Sequence, residues 1–155
     1  MKVLLATDGS KHALDAIESF VDRLAWFREP PAVELVHVHL PIPVGRAVAW
    51  AGKEAVERYY AEEADAALAP AKDLLARREI AFHAAKLVGE PGHEIVRHAE
   101  AAGCDLIVVG THGRTGIARV VLGSIAEYLV RHADCAVVSL RGGPEQREVA
   151  VPGLL

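Results

Sequence analysis

The run Leu106-Ile-Val-Val109 constrains the fold of this chain more than any other segment. Four consecutive apolar residues closed by Gly110 show no polar alternation, and a short run of that kind reads as a strand buried on both faces of a parallel sheet. Val3 to Ala6 has the same character. Ser10 then caps a helix whose Leu14, Ile17, Val21 and Leu24 recur at helical spacing. After the break at Pro30-Pro31, Val33 to His39 forms a strand ended by Pro41. It presents Val33, Leu35, His37 and His39 on one face and Glu34, Val36 and Val38 on the other. Residues 41 to 50 look irregular, and a long Ala- and Glu-rich helical stretch follows to about Arg78, where Pro70 is expected to kink or split it. Phe82 to Val88 carries Lys86 and suits a sheet edge. Gly92 to Ala102 reads as a helix with Ile95, Val96 and Ala99 inward, and Ala136 to Leu140 is the last strand. Five strands alternating with helical segments predict a single doubly wound α/β domain, a parallel Rossmann-like sheet with helices on both faces.

Residues 1–141 form one domain on this reading, because 155 residues at 52% hydrophobic and 25% charged suffice for one core and not for two. Residues 142–155 form a C-terminal tail rich in Gly, Pro and charge, flexible or docked through its apolar end from Val149 to Leu155. A net charge of −4 and a pI near 6.0 argue against nucleic acid as a partner. Cys104 and Cys135 lie beside predicted strands without metal-ligand spacing, so reduced thiols are expected. The apolar run after Met1 stops at Asp8, too short for a signal peptide or membrane span, and the expected location is cytoplasmic.

The segment after Val109 carries the chemistry. Gly110, Gly113, Gly116 and Gly123 are four glycines in fourteen positions where average usage predicts roughly one. They free the backbone for positive φ and for close approach of a ligand to the main chain. Ser124 is placed to cap a following helix that buries Ile125, Tyr128 and Leu129, with Glu127 at capping-box spacing. Strand, glycine loop and helix N-terminus together predict a phosphate site, since the N–H groups and dipole of that end favour an anion. The spacing is neither a Walker loop, which needs Lys-Ser or Lys-Thr after its last glycine, nor a dinucleotide fingerprint. Arg114 either pairs with phosphate or is solvated. Ser124 either donates to phosphate or only caps. His112 is a candidate for phosphate contact or for acid–base work. His37 and His39 share a strand face, but no third ligand follows from spacing, and no tightly bound protein metal is expected.

Gly110-x2-Gly113-x9-Gly123-Ser124 resembles the motif of the ATP-binding branch of the universal stress protein family. Asp105 to Gly110, Leu122 to Glu127, His132 to Cys135 and Thr7-Asp8-Gly-Ser10 extend the likeness over residues 1 to 141. Ala136 departs from the proline usual there. The resemblance implies a strand order of 3-2-1-4-5, placing Thr7 and Asp8 beside Val109 and Gly110 at the switch point where ligands of open α/β sheets bind. It implies that Val38 offers main-chain groups to adenine and that Gly113, Gly123 and the helix start at Ser124 and Ile125 hold phosphates. Asp8 then reads ribose hydroxyls or shares a nucleotide-bound Mg; its alternative is a turn residue in Asp-Gly-Ser. The function implied is an ATP-binding stress-response regulator or sensor, working through nucleotide-dependent conformation and a homodimer across Ala136 to Leu140. The alternatives are a slow ATP hydrolase or phosphotransferase, for which no catalytic residue stands out, and an AMP or cyclic AMP binder.

Overall fold

A computed structural model describes residues 1–43, 52–111 and 123–141 of the chain. Five strands, β1 (Lys2–Ala6), β2 (Ala32–His39), β3 (Phe82–Val88), β4 (Leu106–Gly110) and β5 (Ala136–Leu140), form one parallel sheet in the order β3-β2-β1-β4-β5. The expected doubly wound architecture and the strand order implied by the resemblance are both present. Among the described residues, four helices, α1 (Lys11–Val21), α2 (Lys53–Arg77), α3 (Pro91–Ala102) and α4 (Ser124–His132), cover the faces.

The strand pleat sorts the core into two layers. Val3, Leu5, Val33, Leu35, Leu106 and Val108 face α1 and α2, meeting Ile17 and Phe20 of the first and Leu68, Leu74 and Leu75 of the second. Leu4, Ala6, Val36, Ile107 and Val109 face α3 and α4, meeting Ile95, Ala99, Ala126 and Leu129. β2 obeys the expected parity, and β3 lies at an edge, where Lys86 pairs with Asp65 of α2 at 2.5 Å.

Three local expectations are corrected. Helix α2 is a single segment through Pro70, so the proline does not split it. The missing N–H there leaves Ala66 without its helical donor, and burial of Ala67, Leu68, Ala71, Leu74 and Leu75 holds the helix together regardless. Helix α1 stops at Val21, and Leu24 instead opens a 3-10 turn, Leu24–Trp26, from which it still packs on the core. Ser124 is the first helical residue of α4, not its cap. Gly123 holds the cap position with no side-chain hydrogen bond, and Glu127 pairs with Arg131 at 2.7 Å in place of a capping box. At β5 the departure from proline has a structural use, because the Ala136 N–H donates to the Asp105 carbonyl at 3.2 Å, a bond proline cannot make.

Among the described residues no helix is long and apolar enough to cross a membrane. The thiols of Cys104 and Cys135 are unpaired with each other, and burial pushes both up from the usual thiol value.

Candidate functional site

The carboxyl end of β1 is held by its neighbour. Thr7 is buried; its N–H donates to the Val36 carbonyl at 3.0 Å, and His37 Nδ1 donates to the Thr7 carbonyl at 2.9 Å. Since a carbonyl only accepts, this bond places the imidazole proton on Nδ1. Thr7 Oγ1 accepts from the Gly9 N–H at 3.1 Å, Asp8 Oδ1 accepts from the Ser10 N–H at 2.9 Å, and Ser10 Oγ accepts from Ala13 N–H at 3.2 Å. The Asp-Gly-Ser segment is therefore both an Asx turn and the cap of α1. Gly9 makes it possible, with φ +78°, where an added Cβ would lie 2.9 Å from Ala67 Cα on α2.

At the end of β4 the chain closes a stem. The Thr111 N–H donates to the Leu140 carbonyl at 3.1 Å, the Gly123 N–H to the Thr111 carbonyl at 3.0 Å, and the Glu127 N–H back to Gly123 at 2.9 Å. A Cβ at Gly123 would stand 3.1 Å from Thr111 O, so the glycine permits the approach that brings both ends of the segment together. Gly110, Gly123, Ser124 and Ile125 thus stand at the stem and at the start of α4, whose first-turn N–H groups have no acceptor within the helix. His112, Gly113, Arg114 and Gly116 lie outside the described residues.

β1 lies between β2 and β4, with Ala6 in register with Val36 and Leu5 with Val108. Thr7 and Asp8 therefore sit between the end of β2, which carries Val38, and the end of β4, which carries Val109 and Gly110. Val38 is partly buried against the α3–α4 layer, the layer to which Val109 also belongs. His37 and His39 have ring centroids 6.5 Å apart, and among the described residues no group of three His, Cys, Asp or Glu side chains is placed to hold a metal ion.

Two features escape sequence reasoning. The bond from His37 to Thr7 spans thirty residues, and only the inward parity of His37 hints at it. Tyr59 and Tyr60, whose rings lie 5.6 and 5.1 Å from that of His39, carry no local signal, since the crossing of α2 over β2 brings them there.

A second charged cluster lies toward the amino ends of the strands. Glu34 is almost buried and is met by His83 Nδ1 at 2.9 Å, His98 Nε2 at 3.4 Å and Lys2 Nζ at 3.6 Å. Burial pushes its carboxyl up, but hydrogen bonds from the two histidines and the charges of His83 and Lys2 outweigh it and bring it below the ordinary 4.5.

A sequence profile of the universal stress protein family matches residues 1–141. Universal stress protein MJ0531 of Methanocaldococcus jannaschii is 33% identical over 141 residues, covering 90% of this chain and 81% of that protein. The solved structure of MJ0577 from the same organism is similar at a TM-score of 0.76 and 27% identity, covering 92% of this chain and 96% of that one. An Arabidopsis thaliana family protein with AMP bound has a TM-score of 0.67 at 18% identity over 94% of both chains, a likeness of fold. On the profile match, the full-length likeness to MJ0531 and the shared sheet topology, the chain belongs to the universal stress protein family.

Proposed function

We propose that this chain is an ATP-binding stress-response regulator whose nucleotide lies across the carboxyl ends of β2, β1 and β4. The observation that carries the reading is the stem: the Gly123 N–H meets the Thr111 carbonyl at 3.0 Å directly after β4, which brings the N-terminus of α4 to the carboxyl end of the strand that neighbours β1 and its Thr7 and Asp8. Such an end favours phosphate through its N–H groups and dipole. The Asp8 carboxylate, fixed by its turn, is suited to ribose hydroxyls or to a Mg ion brought by the phosphates. On this reading Val38 supplies main-chain groups at the base end, Gly113 and Arg114 are assigned to the phosphates from the sequence, and Ser124 and Ile125 begin the helix that receives them.

The Arabidopsis relative holds AMP, which favours AMP as the second reading. Signalling on this proposal runs through nucleotide-dependent conformation in a cytoplasmic homodimer joined along Ala136 to Leu140, with residues 142–155 as a tail on the nucleotide domain. Calorimetric titration of nucleotide-stripped protein with ATP and Mg, and separately with AMP and cyclic AMP, tests the site. Saturable ATP binding near one per chain is expected. Absence of ATP binding overturns the reading, and tight binding of AMP or cyclic AMP alone replaces it with a monophosphate sensor.

A further inference from the structure

The N-terminal turns of α2 reach past the sheet. Ala67 packs against Gly9 and so marks the level of the β1 carboxyl end. Tyr59 and Tyr60 lie seven to eight residues earlier, about 10–12 Å further along the helix axis at 1.5 Å per residue. Between Val56 and Ala64, both buried, no residue of α2 is buried, whereas Ala67, Leu68 and Ala71 continue the buried stripe. This overhang meets the end of β2. The His39 ring stands edge-on to Tyr59 at 5.6 Å and 77° and to Tyr60 at 5.1 Å and 66°, while the two tyrosines are 6.1 Å apart.

Polar tethers fix the cluster. Tyr60 Oη accepts from the Ile42 N–H at 2.7 Å, and His39 Nδ1 donates to the Leu40 carbonyl at 2.6 Å. Tyr59 remains 42% exposed. The His39 ring is held edge to face with both tyrosines, and the exposed side of Tyr59 suits a planar heteroaromatic group. Their position also fits. β2 lies two strand spacings from β4, roughly 9–10 Å, comparable to the span of a nucleotide from phosphate to base.

We infer that His39, Tyr59 and Tyr60 form the wall against which the nucleobase stacks, with the Tyr59 ring as the principal face. The inference rests on the nucleotide reading above and adds to it the group that prefers a nucleotide over a bare polyphosphate.

The test compares wild type, Tyr59→Ala and Tyr59→Phe by titration with ATP and Mg, and by competition of inorganic tripolyphosphate against ATP. Tyr59→Ala is expected to weaken ATP binding roughly 5- to 150-fold, the range for losing one base–aromatic stack. Tripolyphosphate affinity should not change, and Tyr59→Phe should bind as wild type does. Undiminished ATP binding by Tyr59→Ala overturns the inference, as does an equal loss for tripolyphosphate or a loss in Tyr59→Phe. Wild type that binds ATP separates these outcomes from failure of the nucleotide reading; wild type that does not takes both down. Thermal melting of each variant shows that the exposed position leaves the fold intact.

Discussion

Gly9 and Gly103 both hold positive φ, +78° and +66°, yet only Gly9 is pressed against another element. Nothing stands within 4 Å of a Cβ at Gly103, so Gly103→Ala should cost only the left-handed strain of an L residue, about 1–2 kcal/mol. Gly9→Ala adds displacement of the α2 backbone at Ala67 and should cost about 3 kcal/mol or more. Denaturant unfolding of the two variants measures the difference, and equal losses would mean that the α1 turn and α2 separate without cost. Glu34 gives a pH-dependent counterpart. Its folded carboxyl titrates below the ordinary glutamate value, despite burial, because His83, His98 and Lys2 favour the anion. A depressed folded pKa contributes stability that is present above the unfolded value near 4.5 and lost as pH falls through the folded one. Glu34→Gln should therefore be less stable than wild type at neutral pH, with the gap narrowing as pH drops from about 5 toward 3. A gap that stays constant across unfolding curves in that range would show that the carboxylate charge contributes nothing.

At the scale of elements, what could be read from the sequence depended on whether a local pattern or a distant contact decided the outcome. The strands at Val3 and Leu106 were legible because unbroken apolar runs suit a sheet covered on both sides, and Lys86 marked the edge because its charge needs solvent or Asp65. The Asp8-Gly9-Ser10 turn was legible because Asx turns and serine caps are local chemistry. Pro70 does not split the helix because its helical cost of ~3 kcal/mol is set against tertiary burial of Leu68, Leu74 and Leu75, which no local rule contains. Ser124 misled in the opposite direction. It has a good cap side chain, but the bond from Gly123 to Thr111 fixes the preceding residue as the cap and moves Ser124 into the helix. The candidate site divides the same way: Thr7, Asp8, Gly110 and Gly123 follow from turns and strand ends, whereas His37 and the Tyr59–Tyr60 pair join only through packing.

For the whole molecule, the order β3-β2-β1-β4-β5 places the switch point between β1 and β4 and leaves β5 as an edge. That edge has a definite hydrogen-bonding polarity. The Ala136 N–H donates to Asp105 and the Leu140 carbonyl accepts from Thr111, so the alternating geometry of a parallel strand turns the main-chain groups of residues 136, 138 and 140 toward β4. Those of Val137 and Ser139 point away and are the groups available to a second copy of the chain. Ser139→Pro removes one outward donor while leaving the ladder to β4 intact, and proline is tolerated on edge strands for this reason. The Ser139 hydroxyl is buried without a hydrogen-bond partner among the described residues, so its loss breaks no side-chain bond. If two copies pair along β5, light scattering should fall from the mass of two chains to that of one in Ser139→Pro, with the melting transition retained. Val138→Pro removes an inward donor and should instead destabilise the sheet. A Ser139→Pro protein that keeps the mass of two chains would exclude strand pairing as the interface.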